Sequence, residues 1–189
     1  FACVMSSHGA FPAQESESLL EVSNFFSECL GDRFQCFGCS PSNNQGLAGR
    51  FYVERGVEGR QTLYSFFPAC GSARTSFPGI VHGGIVSTFI DDTAYWTLFQ
   101  NFRLLAVTTE MNVKYLSPCP DSAIVAGKGQ ITGATDSPSP GDKIEVSVEL
   151  FNQQSGKPLA KGVVKFFVLP KEHIPKIMGP SANELLNKL

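Results

Sequence analysis

Charge is scarce in this chain and unclustered. Its 189 residues carry 15 Lys+Arg and 17 Asp+Glu, a formal net charge of −2. A surface that tracks phosphates needs grouped Lys and Arg, so a nucleic-acid partner is excluded. A membrane span is missing too, because the longest apolar stretch, Gly84 to Phe99, is short and has Asp91 and Asp92 in its middle. No Gly-rich phosphate loop of the nucleotide-binding type is found. Six cysteines (Cys3, Cys29, Cys36, Cys39, Cys70, Cys119) fall at irregular spacing. The chain is too large to need a disulfide scaffold, so they read as reduced thiols of an intracellular protein. The first residue is Phe1 rather than Met. The natural start is therefore read as missing, which leaves cytoplasm and mitochondria both open.

Hydrophobic residues make up 42% of the chain and charged ones 17%, which suits one folded domain with a real core. Phenylalanine is abundant, 16 residues against a single Trp, enough to line a core or a cavity with rings. Residues 1–14 show no periodicity and read as a lead-in. From Glu15 to Leu30 the apolar residues Leu19, Leu20, Val22, Phe25, Phe26, Cys29 and Leu30 recur at helical spacing. Ser16 or Ser18 is available as cap and Gly31 as stop. Gln35 to Gly46 is loop by composition. Strands are expected at Leu47–Arg55 and Gln61–Phe67 around a turn at Gly56–Gly59. Four more are expected at Ala106–Leu116, Ser122–Thr132, Lys143–Asn152 and Pro158–Leu169. The tail from Lys171, broken by Pro175 and Pro180, ends in a short helix near Asn183–Leu189. Consecutive strands joined by tight turns pair antiparallel, and a helix apolar on all sides belongs in a core. The expected fold is therefore α+β, one antiparallel sheet wrapped around the helix Gly84–Phe99. The domain reading is a lead-in with amphipathic helix over 1–34, the main domain over 35–170 and a tail over 171–189.

On that helix Asp91 shares a stripe with Gly84, Ser87, Thr88, Ala94, Tyr95 and Leu98, mostly small or polar. Asp92 lies about a hundred degrees away among Ile85, Phe89, Tyr95, Trp96 and Phe99. An unpaired carboxylate in an apolar helix costs several kcal/mol. Asp91, in a stripe that a ligand or another chain can approach, is read as functional. Asp92 is read as satisfied by a backbone or hydroxyl hydrogen bond. At the helix start, His82-Gly83-Gly84 presents backbone N–H groups without intrahelical partners, which can donate to a developing oxyanion.

The segment FPGIVHGGIVSTFIDD resembles the signature of hot-dog-fold acyl-CoA thioesterases, in the branch of the phenylacetyl-CoA thioesterase and related mammalian thioesterases. TTEMNVKYLSPCP (Thr108 to Pro120) and CFGCSPSNNQGL (Cys36 to Leu47) are similar to further pieces of that family, in the same order. The resemblance implies a hot-dog fold and hydrolysis of an acyl-coenzyme A thioester to free acid and CoA, placing the protein in lipid metabolism. It assigns Asp91 as general base or nucleophile, Gly83 as oxyanion donor and Thr108 as the residue positioning water. His82, Gly84, Ser76 and Phe77 would face the substrate, with Ser76 standing where relatives often carry an Asn that polarises the thioester. His82 is read as a structural hydrogen-bonder at the turn. No cofactor is expected, coenzyme A being part of the substrate.

Gly83 and Asp91 are eight residues apart, about 12 Å along a helix, whereas a reacting carbonyl lies about 3 Å from both its attacker and its oxyanion donor. Two helices related by a two-fold axis would close that gap. A homodimer with shared sites is expected, as in the family, or a dimer of dimers. Two other functions stay open: a non-enzymatic acyl-CoA-binding dimer and a hot-dog dehydratase or hydratase, although the latter needs a His in its acid/base pair. Cys36-x-x-Cys39 has no second Cys or His pair at metal-ligand spacing, so no metal site is expected.

Overall fold

Alternating apolar residues in the second half of the chain demand a sheet with one buried face, and the apolar helix before them supplies what that face covers. The computed structural model describes residues 17–189 and realises this arrangement. In chain order the elements are β1 (Leu19–Glu21), α1 (Phe25–Leu30), β2 (Arg50–Glu54), β3 (Leu63–Phe67), β4 (Thr75–Phe77), β5 (Ile80–Val81), α2 (Gly83–Phe102), β6 (Ala106–Tyr115), β7 (Val125–Gly133), β8 (Lys143–Asn152), β9 (Pro158–Val168), α3 (Ile174–Met178) and α4 (Ala182–Leu186). Seven strands form one antiparallel sheet in the order β1-β2-β3-β7-β8-β9-β6, and β4 and β5 make a separate two-stranded ribbon. The sheet packs onto α2 through β3, β7, β8, β9 and β6. This is the α+β architecture expected from the sequence.

The N-terminal expectation fails in part. Residues up to 16, including Glu15 and the candidate cap Ser16, lie outside the described residues. Within them, Leu19–Glu21 is not helical but adds a strand to the edge of β2, with Leu20 opposite Val53. The helix starts only at Phe25, because the Asn24 side chain accepts the Ser27 N–H at 3.0 Å and caps it there. Gly31 ends it at φ 55°, a backbone angle that favours glycine. The β4–β5 ribbon was not expected either.

Phe89, Ile90, Ala94, Trp96, Leu98 and Phe99 of α2 are fully buried. Trp96 stacks on Phe51 with ring centroids 4.9 Å apart and meets Phe26 and Phe99 edge-on. The phenylalanine surplus is thus largely core. Helix and sheet come close at β7, where glycine is required. A Cβ on Gly129 would stand 2.0 Å from Thr97 Oγ1 of α2, and one on Gly127 would stand 3.0 Å from Thr93 Oγ1 of α2 and 2.3 Å from Ser65 Oγ of the neighbouring strand β3. The threonines of α2 in this contact are buried yet satisfied. Thr93 meets Ser65 at 2.7 Å and donates to the Phe89 carbonyl at 2.6 Å, and Thr97 donates to the Thr93 carbonyl at 2.6 Å. Replacing Gly129 by Ala should force the helix away from the sheet and cost about 1–3 kcal/mol, read as a lower urea midpoint at unchanged m-value.

Candidate active site

Strand β6 sits at the sheet edge beside α2, and one irregularity sets what it presents. Its pairing with β9 shifts between Thr108 and Glu110, so Thr109 is an inserted residue. Such a bulge reverses the alternation of side chains. As a result Thr108, before it, and Tyr115, after it, both reach α2, while Glu110 turns outward to pair with Lys165 at 3.0 Å.

Thr108 Oγ1 donates to Asp91 Oδ1 at 2.8 Å. The half-buried Asp91 carboxyl has its pKa raised by desolvation, with the Thr108 bond opposing. A carboxylate that is poorly solvated and held in one orientation is suited to act as base or nucleophile. Both residues line a cavity of about 440 Å³ whose apolar wall includes Phe26, Leu30, Phe34, Tyr95 and Leu185. The wall thus draws on α1 and α4, elements at the two chain ends. Arg33 holds α4 in place through a paired contact to Glu184 at 2.9 and 2.5 Å.

The helix start is ordered in detail. His82 is the N-cap of α2, and its Nδ1 accepts the Gly84 N–H at 2.9 Å. That leaves Gly84 with no free donor. No hydrogen bond from the Gly83 N–H is found among the described residues. Tyr115 donates its hydroxyl to the Gly83 carbonyl at 3.0 Å and meets Ser87 Oγ at 2.8 Å, fixing this end of the helix against β6. Neither Tyr115 nor Ser87 was assigned a role from sequence. Ser76 and Phe77 lie on β4 and are exposed, Phe77 to 69%. They line no part of the cavity that holds Asp91 and Thr108, and neither do His82, Gly83 and Gly84. Within one chain the residues assigned from sequence therefore form two groups, one at the helix start and one about two turns further on.

Asp92 differs from expectation. Its partner is neither backbone nor hydroxyl but the Cys36 thiol, which donates to Oδ1 at 3.8 Å. Desolvation raises the Asp92 carboxyl well above the usual range, with Cys36 and Asp91 adding to the effect. The Cys39 thiol donates to Cys36 Sγ at 2.7 Å. That bond, with help from the Cys39 and Gly38 N–H groups, lowers Cys36 to about 6, while the same contact raises Cys39. The five cysteines within the described residues are all free.

Residues 78–158, from the turn before α2 to the first residue of β9, match the family described as Thioesterase superfamily. No curated protein matches the sequence. Among solved structures, the chain is similar to thioesterase superfamily member 2 of zebra fish, at 17% identity and TM-score 0.53 over 71% of this chain and 90% of that one. It is also similar to a hypothetical thioesterase of Streptococcus pneumoniae TIGR4 with coenzyme A, at 17% identity and TM-score 0.51 over 62% and 84%. A Streptococcus mutans UA159 protein bound to acetyl-CoA aligns at 17% identity and TM-score 0.51 over 61% and 87%. No helix among the described residues is long and apolar enough to cross a membrane. A central helix wrapped by an antiparallel sheet is the hot-dog fold shared with these solved structures, and the segment of this chain that carries Gly83, Asp91 and Thr108 is similar to the thioesterase superfamily.

Proposed function

We propose that the protein hydrolyses an acyl-coenzyme A thioester to the free acid and CoA. The observation that carries this reading is the Asp91 carboxyl, desolvated, fixed by Thr108 at 2.8 Å and facing an apolar cavity. Asp91 removes a proton from water as the water attacks the thioester carbonyl, or attacks that carbon itself. The Gly83 N–H, free and at the positive end of α2, stabilises the oxyanion. In the first route collapse of the tetrahedral intermediate expels the CoA thiolate, which takes up the proton. In the second it expels the thiolate and leaves an acyl anhydride on Asp91, which water then hydrolyses to the free acid and the Asp91 carboxylate, releasing the proton that the thiolate takes up. His82 is a poor candidate for hydratase chemistry because its Nδ1 already accepts the Gly84 N–H.

The cavity accepts the acyl group, and two copies of the chain complete each site. Asp91 and Gly83 are too far apart along one helix to act on one carbonyl. The edge strand β6 is open, and Met111, Tyr115 and Leu116 on or next to it are exposed. An open edge beside exposed apolar side chains is a surface for pairing with a second copy, either as a homodimer or within a dimer of dimers.

Thiol release from short, long and aryl acyl-CoAs tests the reading. Saturable turnover supports it, whereas binding without turnover on every member points to a binding protein. The same panel checks the acyl cavity. Leu185→Trp fills space between α4 and Tyr95, and each methylene excluded is worth about 1–3 kcal/mol. Turnover of the longest accepted chain should fall about ten-fold or more relative to the shortest.

A further inference from the structure

One group on the cavity wall has no part in the proposed hydrolysis. The loop at Gln35–Gly46 brings Cys36 and Cys39 against Asp92 of α2, and the two sulfurs and a carboxylate oxygen all lie within 4.8 Å of one another. Each of these groups binds cations in its anionic form, yet the ion pairs among the described residues do not include Asp92. Arg33, which lines the same cavity, is committed to Glu184. Two weak thiol donors are poor company for a carboxyl group removed from water. The loop is also shaped for sulfur. The Cys39 N–H turns back to Cys36 Sγ at 3.3 Å, and Asn24 Nδ2 holds the Cys39 carbonyl at 2.8 Å. Gly38 lets the loop rest directly on Asp92, since a Cβ there would stand 1.4 Å from Oδ2.

We propose that Cys36, Cys39 and Asp92 hold a thiolate-preferring divalent cation of the zinc type, with a fourth position open to the cavity. Two sulfurs and one carboxylate oxygen suit zinc, whereas magnesium and calcium take oxygen ligands only. Zinc–sulfur bonds of about 2.3 Å in tetrahedral array set the sulfurs about 3.8 Å apart. From their present 2.7 Å they must open by about 1 Å, a change that cysteine side-chain rotation can supply. The ion would fasten the loop to α2 one residue from Asp91, fixing that wall of the cavity. This site stands on the fold and does not depend on the thioesterase reading.

The test uses the full chain, reduced and loaded with zinc or with cobalt(II) in the absence of air. One ion per chain is expected, together with a thiolate-to-cobalt charge-transfer band and tetrahedral ligand-field absorption. Cys36→Ser and Cys39→Ser should each abolish the band, and Asp92→Asn should weaken binding about ten-fold or more. Removing zinc with a chelator should lower the Tm of the wild type and leave that of the double serine variant unchanged. Equal, substoichiometric metal in wild type and double variant overturns the proposal. So does a Cys36–Cys39 disulfide in the isolated protein that, once reduced, still takes up no cobalt. If the serine variants fail to fold, X-ray absorption of the zinc-loaded wild type decides. A shell with two sulfurs supports the site, and a shell of nitrogen and oxygen alone overturns it.

Discussion

Asp91→Asn is expected to reduce acyl-CoA thiol release by about 10²- to 10⁴-fold while the protein remains folded. The replacement keeps the shape of the side chain and an oxygen to accept the Thr108 hydrogen bond at 2.8 Å. It removes only the basicity and the charge. Because burial disfavours the charged carboxylate here, the neutral amide should fold at least as stably as the wild type, and urea unfolding measures this directly. Loss of activity with retained stability separates a reacting group from a structural one. Thr108→Val, which deletes the hydroxyl, should cost less, about ten-fold, since it frees a carboxylate that can still react. If Asp91→Asn turns over acyl-CoA at the wild-type rate, Asp91 is neither base nor nucleophile.

What could be read before the structure follows from how far apart the interacting residues lie. The helix Gly84–Phe99 announces itself through its apolar composition, and α2 occupies it with one residue more at its start and three at its end. The strand at Lys143–Asn152 alternates cleanly and is found with those bounds. The segment Leu19–Leu30 misleads because Leu19 and Leu20 fall at helical spacing with the phenylalanines of α1. Pairing with Tyr52, Val53 and Glu54 decides their conformation, and that partner lies more than thirty residues away. Local pattern carries no information about such a contact. The same distinction runs through the site. Asp91 stands out alone, as a charge in an apolar helix, whereas Thr108 is found through the family resemblance. The Cys36–Asp92 contact spans 56 positions and the Tyr115–Gly83 contact 32. Neither pairing can be read from a local pattern, because each joins segments far apart in the chain.

The position of Gly83 permits a sharper test of the shared site. Gly83 is the first residue of α2, where a helix tolerates proline, and His82 before it is already extended at φ −61° and ψ 137°. A Cβ on Gly83 would make ordinary contact with the Tyr115 ring at 3.5–3.7 Å. Gly83→Pro should therefore delete one N–H and little else. Loss of one oxyanion donor is expected to lower kcat about 10²- to 10³-fold, with KM and stability little changed. Combining this variant with Asp91→Asn distinguishes the two possible arrangements of the site. If Asp91 and Gly83 of one chain work together, a mixture of the two inactive variants stays inactive, because every site carries one lesion. If each site takes Asp91 from one chain and Gly83 from the other, a mixed dimer has one intact site and one site with both lesions. Random pairing of equal amounts makes half the dimers mixed, so about a quarter of wild-type turnover should return on co-expression. Recovery to that level would place the reacting carbonyl between two copies of α2.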